Sequence, residues 1–198
     1  MVCLPEIAAL GLASPPLAAS DIMSLMGTTA PITFEEFECL NSAEGDLQLL
    51  QGELIRLPAA TVTQRQIAGN LYISLNRQTG NTLPGRVQIS TGYRIHGTSA
   101  SWLRPDVSVT HPGQVNGRYF QGAPLIAFEV VSEFEKAQDL HGIIREYLVS
   151  GAAEVWVIYP KTRRAWVYEQ NSARLETEAV RTALLPGIEI PFKQIFEA

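Results

Sequence analysis

Three short apolar runs, at 105–110, 125–131 and 154–159, constrain this chain more than any other feature. They read Pro-Asp-Val-Ser-Val-Thr, Leu-Ile-Ala-Phe-Glu-Val-Val and Glu-Val-Trp-Val-Ile-Tyr. Each is rich in β-branched residues and bounded by turn-forming or polar residues, so each is strand material. The first two carry one acid each, Asp106 and Glu129. An ionised carboxylate in a buried strand costs free energy unless something compensates it. Two acids on strands that can be neighbours are a natural place for a divalent cation.

The rest of the chain alternates strand and helix signals. Thr33 followed by Glu35 and Glu36 opens a short helix near 33–41. Residues 46–57 show partial alternation around Gln51-Gly52, which predicts a β-hairpin. Residues 63–77 carry Ile67, Leu71, Ile73 and Leu75 with no proline, which predicts a helix that Gly80 and Pro84-Gly85 end. Strands are expected at 87–90, 93–95 and 164–169 as well. Leu140, Ile143, Ile144, Tyr147 and Leu148 give 139–149 one apolar helical face, with Gly151 as its stop. Strands interleaved with a few helices imply an α/β or α+β domain built on a mixed central β-sheet flanked by helices.

With 198 residues, 46% of them hydrophobic and 18% charged, the chain has material for one sizeable core. Its formal net charge of −5 gives the surface as a whole no attraction for nucleic acid. Cys3 and Cys39 belong to no CxxC or Cys/His cluster, which argues against structural zinc, and two lone thiols fit a reducing cytoplasm. Residues 1–30 are apolar but lack a basic start, carry Glu6 and are broken by Pro15-Pro16, which argues against a secretory signal. They read as a loosely ordered N-terminal arm, ahead of a domain over 31–198. No stretch approaches the roughly 20 apolar residues of a membrane span. There is no Walker or dinucleotide glycine loop, and Ser132 has no His/Asp partner pattern.

Arg104-Pro105-Asp106 before a strand, Glu129-Val130-Val131-Ser132, Asp139-Leu140, Tyr147, Gly151 and Glu154-Val155-Trp156-Val157-Ile158 together resemble the Uma-two group. That group has a restriction-endonuclease-like domain within the PD-(D/E)xK nuclease superfamily. Gly52-Glu53-Leu54-Ile55, Ile67 with Asn70-Leu71, and Gly85-Arg86-Val87 extend the likeness, which runs over about 33–170. The resemblance implies a restriction-endonuclease-like fold and phosphodiester hydrolysis with Mg²⁺ or Mn²⁺. Its metal ligands would be Asp106, Glu129 and the Val130 carbonyl. It also implies a nucleic-acid partner, DNA ahead of RNA, and a homodimer.

The pattern departs from the family in its cation. Val131 stands two residues after Glu129, where a lysine is expected, and Ile143 stands at the alternative lysine position on the following helix. Lys136 is the nearest replacement and is assigned the catalytic role beside Asp106 and Glu129; Arg145 would point to another face. Gln64 occupies a position where many relatives carry histidine.

Each residue has a plainer reading. Asp106 could salt-bridge Arg104, Glu129 could pair with Arg94 or Lys136, and Asp139 could cap its helix. Glu53 could join the acids or lie on the hairpin surface. Tyr147 and Trp156 read as core aromatics, and His96, His111 and His141 as scattered surface or loop residues. Two functions follow. One is a metal-dependent endonuclease. The other is a non-catalytic binding or assembly module that keeps the fold without the lysine.

Overall fold

The structure is a computed structural model that describes residues 31–39, 47–80, 85–95, 100–132 and 137–197. The 1–30 arm, His96 and Lys136 lie outside the described residues. The helices are α1 (Phe34–Cys39), α2 (Val62–Thr79), α3 (Ala137–Val149) and α4 (Phe192–Phe196). The strands are β1 (Leu47–Leu50), β2 (Glu53–Arg56), β3 (Val87–Ile89), β4 (Tyr93–Ile95), β5 (Ser101–Leu103), β6 (Val107–Val109) and β7 (Phe120–Gln121). They continue with β8 (Ile126–Val130), β9 (Glu154–Tyr159), β10 (Arg164–Tyr168), β11 (Ala173–Glu176), β12 (Ala179–Val180) and β13 (Ile190–Pro191).

The central sheet has six strands in the order β11-β10-β9-β8-β6-β3. It is mixed, as the sequence predicts: β8 and β9 are parallel, and the other pairs are antiparallel. The parallel pair needs a crossover, and the amphipathic α3 supplies it. Both faces of β8 and β9 are covered, which explains their nearly unbroken apolar sequence. Ile126, Phe128, Val130, Trp156 and Ile158 join the core beneath α2 and α4. Ala127, Val155 and Val157 join the core beneath α3, with Ile143 and Tyr147. Phe128 and Trp156 are fully buried with ring centroids 5.8 Å apart, and truncating either to alanine costs about 3–5 kcal/mol.

Not every predicted strand joins the central sheet. The first hairpin and 93–95 form a second sheet, β2-β1-β5-β4-β7. Its β5 and β7 are three and two residues long, too short to show alternation in sequence. The hairpin itself forms as predicted. Gln51 and Gly52 both have positive φ (52° and 83°), which matches the primed two-residue turns that follow the strand twist. A side chain at Gly52 would also strike Pro31, so glycine is required there twice over. Of the two cysteines, Cys39 ends α1 and Cys3 lies outside the described residues.

Candidate active site

Asp106 stands one residue before β6, where the β6–β8 ladder runs out after Val107 pairs with Phe128. Its side chain continues the ladder: the Val130 amide donates to Asp106 Oδ2 at 2.7 Å. Its own carbonyl accepts from the Ser90 amide at 3.0 Å. Pro105 fixes the backbone just ahead of it. Asp106 is thus held by main chain and side chain alike, and its carboxylate stands at the end of two strands.

Glu129 lies in β8 opposite Val157 of β9. Strand alternation puts it on the same sheet face as Ala127 and Val131, the face that α3 covers. On β6 the same face carries Ser108, whose hydroxyl is 2.8 Å from that of Tyr93. Asp106 precedes Ser108 by two residues and so belongs to this face. Both acids therefore lie on one face of neighbouring strands. The Tyr147 hydroxyl reaches the same region from α3. Burial and the neighbouring Glu129 carboxylate hold it well above the usual tyrosine range, with Asp106 adding to the effect. Neither that hydroxyl nor Glu129 Oε1 makes a hydrogen bond of ordinary geometry, although both are buried. Tyr93 is pushed up to about 12 by burial, against a smaller opposing effect of the Ser108 hydrogen bond.

The third sequence-derived ligand, the Val130 carbonyl, accepts from Gln64 Nε2 at 2.8 Å. Gln64 Oε1 in turn accepts from the Thr61 amide, and the Gln64 amide donates to Thr61 Oγ1. A capping box at the start of α2 thus also ties that helix to the end of β8. A carbonyl has two lone pairs, so one remains for another partner. The Thr-x-x-Gln spacing was legible as a cap; its second bond, 66 residues away in sequence, was not.

These groups open into a cleft of about 400 Å³ whose walls include Gln64, Arg65, Arg104, Asp106, Glu129 and Val130. Magnesium prefers oxygen ligands, keeps several waters, and is commonly held by one or two carboxylates with substrate phosphates. Two carboxylates and one carbonyl fit that habit. Among the described residues no third His, Cys, Asp or Glu completes a larger ligand group. Glu53 is exposed on β2 and takes no part.

The other sequence-derived residues fall apart from this centre. Arg94 pairs with Glu35 at 3.1 Å and stacks over Phe34, so it is not the partner of Glu129. Asp139 sits inside the first turn of α3, because the helix begins two residues earlier than expected; there it complements the helix dipole rather than capping. Tyr147 and Trp156 are core aromatics. Ile143 is 2% exposed, deep in the core on the face that carries the acids. Arg145 is exposed.

Two buried acids have structural partners that the sequence did not reveal. Glu146 accepts from Ser101 Oγ at 2.6 Å and from Gln51 Nε2 at 2.9 Å, tying α3 to the second sheet. Glu154 accepts from Trp156 Nε1, Thr182 Oγ1 and Arg174.

A family model described as "Uma2: Putative restriction endonuclease" matches residues 34–193. No curated protein matches the chain. Among solved structures, a putative nuclease belonging to DUF820 from Anabaena variabilis is similar, with a TM-score of 0.74 at 20% identity, over 84% of this chain and 98% of that one. At that identity the likeness establishes the fold, which is restriction-endonuclease-like. Among the described residues no helix is long and apolar enough to cross a membrane.

Proposed function

Because the chain belongs to the Uma2 family, we propose that it is a metal-dependent endonuclease that hydrolyses phosphodiester bonds of nucleic acid, DNA ahead of RNA. The observation that carries this reading is the convergence of Asp106 and Glu129 at the end of β6 and β8 in one cleft. Asp106 and Glu129 supply the anionic oxygens, and the free lone pair of the Val130 carbonyl supplies a third donor. When bound there, magnesium or manganese would polarise a phosphate and make an attacking water more acidic. The chain's own part is to hold these oxygens in place. The Val130 amide fixes Asp106, Gln64 fixes the Val130 carbonyl, and the protonated Tyr147 phenol backs Glu129. Arg65 and Arg104 on the cleft wall offset developing negative charge in place of the family's lysine. Lys136 remains a proposal of sequence alone. A cytoplasmic location and a homodimer go with this reading; Trp166 and Leu175, 39% and 41% exposed and paired across β10 and β11, offer an apolar face for a second copy.

The test is cleavage of plasmid and linear DNA with Mg²⁺ or Mn²⁺ by the wild type, Asp106→Ala and Glu129→Ala. Cleavage by the wild type alone supports the reading; equal cleavage by all three rejects it.

A second reading has its own observation. Ile143 is sealed among aliphatic and aromatic side chains where a relative's lysine would stand. That favours a non-catalytic binding or assembly module, and it predicts no cleavage with any divalent ion.

A further inference from the structure

A second cleft, of about 570 Å³, adjoins the carboxylate cleft and shares Gln64 and Ser132 with it as a common wall. Its far wall is the turn that follows β9, and its near wall is the start of α2. The parallel pairing of Val130 with Ile158 sets the ends of β8 and β9 side by side, and the Val131 amide bonds the Ile158 carbonyl at 2.9 Å. Lys161, three residues beyond Ile158, therefore emerges at the same end of the sheet as the carboxylates.

The chemistry of this cleft differs from that of its neighbour. Among the described residues that line it, Lys161 is the only charged one, in a chain of formal net charge −5. Thr61, Thr63 and Ser132 line the same cleft and bring hydroxyls to it. Thr61 Oγ1 accepts from the Gln64 amide, which leaves its own proton to donate. The remaining surface, from Val131, Tyr159 and Pro160, is apolar with one aromatic ring. One cation, several hydroxyl donors and an apolar ring together match a nucleotide unit: phosphate on the polar side, sugar and base on the other.

We propose that this second cleft is a backbone subsite for a nucleic-acid strand, in which Lys161 and the neighbouring hydroxyls hold the phosphate next to the one at Asp106 and Glu129. The inference rests on the endonuclease reading and adds to it the path of the strand: across Gln64 and Ser132, from the carboxylates towards the β9–β10 turn. Lys161 holds the strand and takes no part in bond breaking.

The experiment is fluorescence anisotropy of a fluorescein-labelled DNA oligonucleotide, single-stranded and duplex, titrated with full-length protein in EDTA over a range of NaCl. The proteins are the wild type, Lys161→Ala, Lys161→Arg and Asp106→Ala/Glu129→Ala. Lys161 is exposed, so its variants should melt as the wild type does. The expected result is affinity lowered roughly threefold or more by Lys161→Ala, with the salt slope reduced by about one, and both restored by Lys161→Arg. The carboxylate variant should bind at least as tightly as the wild type. If Lys161→Ala binds as well as the wild type with an unchanged slope, the subsite is overturned and the endonuclease reading stands. If the wild type binds neither oligonucleotide, the subsite is overturned too, and the cleavage assay alone decides the endonuclease reading.

Discussion

The Val130 amide donates to Asp106 Oδ2 at 2.7 Å, so one carboxylate both closes the end of the β6–β8 ladder and faces the cleft. Structure and chemistry share this residue, and substitutions can separate them. Asp106→Asn keeps an oxygen that accepts from Val130, so it should lose metal binding and cleavage while melting close to the wild type. Asp106→Ala leaves the amide without its acceptor and should cost about 1–3 kcal/mol besides. Thermal or urea unfolding of the two variants checks the difference; equal destabilisation would deny Asp106 its ladder role.

Gln64 joins the start of α2 to the Val130 carbonyl. Gln64→Ala removes half of the capping box and the clamp on β8 together, an expected cost of about 1–2 kcal/mol. Hydrogen exchange should show the Val130–Ser132 segment opening more readily. Unchanged exchange there would mean that the clamp is dispensable.

Burial keeps two phenols protonated on the acid-bearing face, Tyr93 at about 12 and Tyr147 higher than usual. Both folded-state values are raised, so the unfolded chain releases these protons first. Their stabilisation is complete below pH ~10, the ordinary tyrosine value, and is lost as pH climbs through the folded values. Unfolding free energy should therefore begin to fall above pH ~10. Tyr93→Phe should flatten that fall by roughly 2–3 kcal/mol. A fall equally steep in Tyr93→Phe would place the alkaline transition elsewhere.

Ile143 occupies the face that carries Asp106 and Glu129, but inside the core. Ile143→Lys should cost a few kcal/mol of stability, because it buries an ammonium among apolar groups. It should also raise the rate of plasmid cleavage in Mn²⁺, while Ile143→Met, which keeps the packing apolar, should not. No gain from the lysine would show that this helix position does not serve the cleft.

What the sequence made legible was local or periodic. The strands at 126–130 and 154–159 are long enough, and apolar enough on both faces, to be read directly. Asp106 and Glu129 stood out because a lone acid in such a run needs a reason, and the strands beside them are neighbours. The second sheet was not, since β5 and β7 are too short for any period to show. Nor were the bonds of Gln64 to Val130 and of Glu146 to Gln51 and Ser101, which join residues 45 to 95 positions apart. Asp139 was misplaced by two residues, the usual slip when a helix start is judged from its apolar face alone.

The most direct measurement is calorimetric titration of Mn²⁺ into the wild type and into Asp106→Ala/Glu129→Ala. Saturable binding by the wild type and none by the variant is the expected result. Equal heats from both proteins, or none from either, would contradict a metal centre built on these two carboxylates.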